Sequence, residues 1–150
     1  MKNIKHTLAE HLSQQLNKKI TDLQQAVLSA KESRDADTKS SAGDKHETSR
    51  ELAQVEIEKL EVQLNKTMVL ENELSSIDLN KKNDSVVAGS LIFTTQENYF
   101  ISVGLGKIKL EDEIYYAISL NSPIGEILKF KKVGDEIFFQ GRQIVIKQIL

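Results

Sequence analysis

The residues of this chain that could do chemistry are two carboxylates, Asp44 and Glu47, in the segment GDKHE at positions 43–47. Carboxylate oxygens are preferred ligands of Mg²⁺, so this pair could add ligands to such an ion. The same spacing is that of a helix capping box, with Asp44 as the cap and Glu47 in the first turn. The spacing alone leaves both roles open.

The composition excludes several classes of protein. The chain of 150 residues has a formal net charge of −2 and contains no cysteine. Disulfides, thiolate zinc sites and cysteine nucleophiles are therefore excluded, and no global field attracts duplex DNA or anionic lipid. The sequence contains no glycine-rich phosphate loop, and His6 and His11 do not have the four-residue spacing of helical zinc ligands. We expect neither a free-standing metabolic enzyme nor a small-molecule substrate.

The sequence contains no signal for a membrane or for export. No apolar run approaches the roughly 18 residues of a membrane helix, and the N-terminal segment MKNIKHTLAEHL lacks the apolar region of a signal peptide. We expect a cytoplasmic protein that does not contact a membrane.

The two halves of the chain differ in composition. Residues 1–75 contain one glycine and no proline, whereas residues 86–150 hold the other six glycines, the only proline and all eight Phe and Tyr residues. The polar residues 76–85 between them have the composition of a linker. We therefore predict a helical part at 1–75, a linker at 76–85 and a β-rich domain at 86–150.

The helical part carries two apolar stripes, one on each side of a polar segment at 31–47. Two such stripes predict an antiparallel helical hairpin with an acidic tip near 32–47. A thinner row on the second helix is either a set of tolerated surface valines or a contact strip for a partner or a second copy. The first stripe is Leu8, Leu12, Leu16, Ile20, Leu23, Val27 and Ala30; the second is Ala53, Ile57, Leu60, Leu64, Met68 and Leu74; the thinner row is Val55, Val62 and Val69.

The C-terminal half alternates like β-strands and is rich in β-branched and aromatic residues. Between the fourth and fifth strands, Ser122 and Pro123 predict the start of a short helix over 122–130. The fold class is therefore α+β, with a helical hairpin followed by a twisted antiparallel sheet and one helix. The predicted strands are Val86–Thr95, Tyr99–Val103, Lys107–Leu110, Ile114–Leu120, Glu136–Phe139 and Gln143–Leu150.

The segment SPIGEILKFKKVGDEIFF at 122–139 resembles the C-terminal signature of bacterial Gre-type transcript cleavage factors, the GreA and GreB family. At the hairpin turn, Gly43, Asp44 and Glu47 match the family's Gly-Asp-x-x-Glu-Asn motif. The resemblance runs in order over nearly the whole chain and implies an FKBP-like fold for residues 86–150. The signature is carried by Ser122, Pro123, Gly125, Lys131, Val133, Gly134, Asp135 and Glu136.

The resemblance also implies a function. The hairpin would enter the secondary channel of RNA polymerase, where Asp44 and Glu47 would help to hold a second catalytic Mg²⁺, shared with the polymerase, for cleavage of backtracked RNA. The chain would be an accessory factor with no activity of its own. Lys31 and Lys45 would contact the RNA, and the β domain would dock on the polymerase through Ser122, Pro123, Ile124, Gly125 and Phe130.

Two alternatives remain open. Thr48, Arg50 and Glu51 stand where the family has Asn, Glu and Tyr, and Phe130 replaces a usual glycine. These departures at the tip allow a protein that occupies the polymerase channel without stimulating cleavage, or that competes with cleavage factors. The row of three valines allows a coiled-coil interaction protein. We expect a monomer rather than a dimer.

Overall fold

The computed structural model describes residues 3–37 and 43–150, with the side chains of 37 and 43–46 left out. The chain divides into two compact units, residues 14–72 and residues 1–13 together with 73–150. In the described ranges, no helix has a stretch long and apolar enough to cross a lipid bilayer. The elements are α1 (Ile4–Asp37), α2 (Gly43–Ser75), β1 (Leu91–Thr94), β2 (Asn98–Ile101), β3 (Gly106–Leu110), β4 (Glu113–Ile118), α3 (Pro123–Leu128), β5 (Glu136–Phe139) and β6 (Arg142–Ile149).

The unit at 14–72 is an antiparallel pair of helices. Lys31 of α1 lies beside Glu61 of α2, and Arg34, further along α1, contacts Gln54, which is earlier in α2. This reversed order is that of two antiparallel helices. Apolar side chains with helical spacing are buried in this unit, and they form the seam, the line of contact between the two helices. The predicted hairpin is therefore confirmed. The buried ones in this unit are Leu16, Leu23, Val27 and Ile57.

The seam on α2 differs from the predicted stripe at one position. Met68 was expected in the seam but is exposed, and Thr67 is buried in its place. The observed seam follows Ile57, Leu60, Leu64 and Thr67, which keeps the alternating steps of three and four residues of a paired helix. A search for apolar residues alone passes over Thr67 because its side chain is polar. The thinner valine row at 55, 62 and 69 is exposed.

Replacing Thr67 with Val should stabilise the helix pair. The Thr67 hydroxyl donates to the Gln63 carbonyl oxygen at 2.7 Å, so this bond stays within α2. Val replaces the hydroxyl with a methyl group that the seam buries, which is worth about 0.8 kcal/mol. We expect Thr67→Val to raise the free energy of unfolding by about this amount in urea denaturation. Ser29→Val, at an exposed position of α1, should give no such gain, and an unchanged or lowered stability of Thr67→Val would contradict the assignment.

The β-rich part forms one six-stranded sheet in the order β3-β4-β2-β1-β6-β5. The predicted short helix is confirmed as α3. The predicted antiparallel pairing is confirmed for every pair of neighbouring strands except β2 and β4, which run parallel. The parallel pair arises because β3 and β4 form a tight hairpin, and β4 then lies between β3 and β2. Glu111 and Asp112 form its two-residue turn with φ of 48° and 66°, the left-handed conformation that this turn type requires.

The first strand begins later than predicted. The sequence predicts a strand from Val86, but β1 starts at Leu91. Gly89 interrupts the extended chain with φ of +93°, a conformation that favours glycine. A Cβ atom there would lie 2.8 Å from Ile77 Cγ2 and 3.2 Å from the Asp78 carbonyl oxygen. This glycine is therefore required both by its backbone angle and by its close neighbours.

The core of this unit includes a cluster of buried apolar side chains from the sheet and α3. Within this unit, Lys5 Nζ of α1 donates to the Lys81 carbonyl oxygen at 3.2 Å. Asn83 Nδ2 donates to the carbonyl oxygen of Leu150, which follows β6, at 3.5 Å. The cluster consists of Val86, Ile92, Tyr99, Ile101, Ile124, Leu128, Ile137, Ile144, Ile146 and Ile149.

Candidate functional site

The predicted carboxylates lie at the start of α2. The helix begins at Gly43, so Asp44 is in its first turn and Glu47 follows one turn later. Glu47 is exposed to solvent. The side chains of Asp44 and Lys45 lie outside the described residues, so the prediction that Asp44 acts together with Glu47, and that Lys45 contacts RNA, stays a prediction.

A groove of about 320 Å³ lies beside Glu47, between the end of α1 and the start of α2. Its walls are Arg34, Glu47, Arg50, Glu51 and Gln54. Arg34 spans the two helices, because its Nη1 donates to Gln54 Oε1 at 2.8 Å. Its side chain is only 23% exposed, which fixes one guanidinium group close to the predicted tip.

The charges around this groove balance one another. Arg34 and Arg50 bring two positive charges to a site with two carboxylates, Glu47 and Glu51. Arg34 Nε lies 3.1 Å from Asp35 Oδ1. Two positive charges so close to Glu47 and Glu51 oppose the binding of a cation there. In the part of the chain that the structure describes, no group of three or more His, Asp or Glu side chains is placed to hold a metal ion. The exposed Glu47 can still offer one or two oxygens to an ion that another molecule holds.

Lys31, the other predicted RNA contact, forms an ion pair on the hairpin surface. Its Nζ lies 3.4 Å from Glu61 Oε1, and both side chains are nearly half-exposed. Such a pair contributes less than about 1 kcal/mol, so a phosphate group can replace Glu61. Arg34 and Arg50 are basic residues at the same end of the hairpin that the prediction missed. Arg34 could have been found, because it continues the three- and four-residue steps of Val27 and Ala30.

The predicted docking segment forms a tightly bonded turn. Ser122 caps α3: its Oγ accepts from the Gly125 amide at 3.1 Å and donates to the Ser119 carbonyl oxygen at 2.6 Å. Ile124 and Gly125 are buried. Among the predicted docking residues of this turn, Pro123 is the one whose side chain is exposed; the others hold the turn in shape.

Phe130, the remaining docking residue, lies just after α3 in an unfavourable conformation. Its φ is +66° and its side chain is 65% exposed. Lys129 Nζ lies 5.1 Å from the centre of its ring. The left-handed conformation costs a non-glycine residue roughly 1–2 kcal/mol, and the exposed ring regains little of this by burial. Phe130 is therefore an apolar group that the domain displays rather than one it needs for its core.

The strain at Phe130 can be measured with two variants. Phe130→Gly and Phe130→Ala both lose the ring, but only glycine adopts the left-handed conformation without strain. We expect the glycine variant to be about 1 kcal/mol more stable than the alanine variant, as measured by urea unfolding followed by circular dichroism. Equal stabilities would show that the backbone at this position carries no strain.

Comparison with protein-family models, with curated proteins and with solved structures finds no match to this chain. The resemblance to Gre-type factors therefore rests on the residues of the hairpin turn and of the Ser122 segment, together with the order of the elements along the chain.

Proposed function

We propose that the chain is a cytoplasmic, Gre-type accessory factor of RNA polymerase. Its helical hairpin enters the secondary channel, and Asp44 and Glu47 help to hold the second catalytic Mg²⁺ for cleavage of backtracked RNA. The observation that supports this most is the antiparallel pair of helices of 34 and 33 residues with Glu47 exposed near the turn. At 1.5 Å per residue, the parts of α1 and α2 that lie in the unit at 14–72, residues 14–37 and 43–72, are about 36 and 45 Å long, which suits a probe for a deep channel.

The chemistry belongs to the polymerase. Polymerase active sites use two divalent ions about 3.5–4 Å apart. On the side of this chain, the carboxylate of Glu47 is exposed and contributes oxygen ligands, and Asp44 contributes others from the preceding turn. Placing these groups at the reacting phosphate is a proximity effect, and it gives this chain no activity of its own.

The basic residues near the turn would position the RNA. Lys31 exchanges its exposed partner Glu61 for a phosphate group of the extruded strand, and Lys45 contacts the strand nearer the tip. Contacts of this kind are directed at phosphate and weaken as salt increases. The β domain docks on the polymerase surface, with Pro123 and Phe130 as its exposed contacts.

The groove beside Glu47 favours a second candidate function. Arg34 and Arg50 line the same groove as Glu47 and Glu51, and two positive charges at this site oppose the binding of a cation. In this case the chain occupies the secondary channel without stimulating cleavage and competes with factors that do.

Transcript cleavage by purified RNA polymerase tests these functions. Backtracked elongation complexes with radiolabelled RNA are incubated with the full chain, and binding is measured in parallel by gel filtration. Faster release of short RNA 3′ fragments supports the first function. Co-elution with the polymerase without faster cleavage supports the second, and no co-elution contradicts both.

A further inference from the structure

The β domain contains an apolar pocket that the proposed function does not use. The pocket has a volume of about 270 Å³ and is lined by Tyr99, Tyr116, Ile118, Ile124 and Phe139. The rings of Tyr99 and Tyr116 lie side by side, with their centres 6.3 Å apart. Sites for drug-sized ligands have about 300–1,000 Å³, so this pocket suits one large apolar group rather than a nucleotide or other cofactor.

Glu97 and Arg142, which also line the pocket, form an ion pair. Arg142 donates to both carboxylate oxygens of Glu97, from Nη1 at 2.8 Å and from Nη2 at 3.2 Å. The Tyr99 hydroxyl donates to the same carboxylate at 2.9 Å. The bonds from Arg142 lower the pKa of Glu97, so this carboxylate is charged at neutral pH. The two charges cancel each other, and the pocket therefore selects an uncharged group.

Tyr116 adds a polar group to the lining of the pocket. Its side chain is partly buried, and among the described residues its hydroxyl has no hydrogen-bond partner. The hydroxyl can donate to an acceptor such as a peptide carbonyl oxygen. An apolar side chain attached to a peptide backbone would satisfy the apolar walls and this hydroxyl together.

One of the two edges of the sheet, the strand β5, adjoins this pocket at Phe139. β5 is the last strand of the sheet, and the Ile146 amide donates to the Asp135 carbonyl oxygen at 3.0 Å. Because the direction of the backbone N–H and C=O groups alternates from residue to residue along a strand, those groups of Ile137 and Phe139 also point towards β6. The N–H and C=O groups of Phe138 therefore point away from the sheet. The Phe138 side chain is 69% exposed. At Phe138, β5 therefore presents N–H and C=O groups that have no partner among the described residues and to which an additional strand can bond.

We propose that β5 and the adjoining pocket bind an extended segment of a partner polypeptide, which adds to the sheet as a seventh strand and inserts one uncharged apolar side chain. A residue of the added strand opposite Phe139 directs its side chain to the same face of the sheet as Phe139, which is the pocket face. Main-chain bonds to β5 supply affinity and the pocket supplies specificity. A small apolar molecule has no peptide backbone and could not bond to the N–H and C=O groups of β5. This site concerns the β domain alone and does not depend on the function of the hairpin.

A peptide titration tests the proposal. The probe is a capped heptapeptide of alternating threonine and apolar residues with a central leucine, added to the ¹⁵N-labelled full chain and followed by NMR. We expect the amide signals of Phe138, Phe139 and Arg142 to shift. Replacing the central leucine with aspartate, or methylating the peptide nitrogens that face β5, should each weaken binding at least tenfold.

Two variants of the chain separate strand addition from simple contact. Phe138→Pro removes the outward N–H group, and proline is tolerated in edge strands. Phe138→Thr keeps the N–H group and loses only the ring. We expect binding of the leucine peptide to fall at least tenfold in the first variant and to stay within twofold of wild type in the second. Equal binding by both variants, unchanged binding of the methylated peptide, or shifts that avoid β5 would each overturn the proposal.

Discussion

Replacing Gly125 with Ala is expected to lower the free energy of unfolding by about 3 kcal/mol, the upper end of what overpacking in a core costs. A Cβ atom on Gly125 would overlap the Ser119 carbonyl oxygen and would lie 2.8 Å from Ser122 Oγ. The first contact is with backbone, which cannot rotate away as a side chain can. The turn must therefore open, and with it are lost the capping bond from the Gly125 amide to Ser122 Oγ and the bond from the Ser122 hydroxyl to the Ser119 carbonyl oxygen.

Thermal and urea unfolding of the full chain measure this effect. Gly104→Ala is the matched control, because a Cβ atom at Gly104 meets no other atom within 4 Å. We expect the control to unfold within about 0.5 kcal/mol of wild type, as surface substitutions usually do. If Gly125→Ala were as stable as this control, the claim that the Ser122 turn has no room for a Cβ atom at Gly125 would be contradicted.

Removing the two tip carboxylates is expected to have the largest effect on function. In the double variant Asp44→Asn and Glu47→Gln, both side chains keep their size but lose their charge and their capacity to ligate a cation. Loss of correctly positioned groups at a reacting centre costs on the order of 100-fold in rate. We expect stimulated cleavage of backtracked RNA to fall by about this factor, while binding to the polymerase stays within about twofold of wild type.

The control for this experiment is Glu51→Gln. Glu51 lines the same groove as Glu47 but lies outside the Asp44–Glu47 motif, so its removal should leave cleavage nearly unchanged. Single-turnover cleavage at saturating factor separates the rate from binding. A double variant that cleaves as fast as wild type would remove the carboxylates from the mechanism, and an equal loss in Glu51→Gln would show a general effect of charge.

Much of the fold could be predicted because the patterns that define it are local. The stripe of α1 and the cap at Ser122 each depend on residues within a few positions of one another. Which side chains pack between the helices, and which strands pair, was harder to predict. The seam includes Thr67 rather than Met68 because packing selects a position on the helix and not a residue type. The parallel pairing of β2 with β4 was missed because alternation along a strand does not specify its neighbour.

Among the candidate sites, too, those built from neighbouring residues could be predicted from the sequence, and those assembled by folding could not. The spacing of Asp44 and Glu47, and that of Ser122 and Gly125, is visible in the sequence. The pocket of the β domain is not, because Glu97 and Arg142 lie 45 residues apart and meet only when the sheet forms. The residue type at Phe130 does not predict its left-handed backbone, since a phenylalanine ordinarily avoids that conformation; the one hint is the glycine that Gre-type factors usually have at this position.

Photo-crosslinking from the hairpin tip is the most direct test of the claim that the carboxylates reach the catalytic centre of RNA polymerase. A benzophenone side chain replaces Glu51, one turn after Glu47 on α2, and the chain is bound to backtracked elongation complexes before irradiation. We predict crosslinks to the 3′ segment of the RNA and to polymerase residues around the active site. A complex that forms normally but crosslinks only at the outer surface of the polymerase would contradict this account.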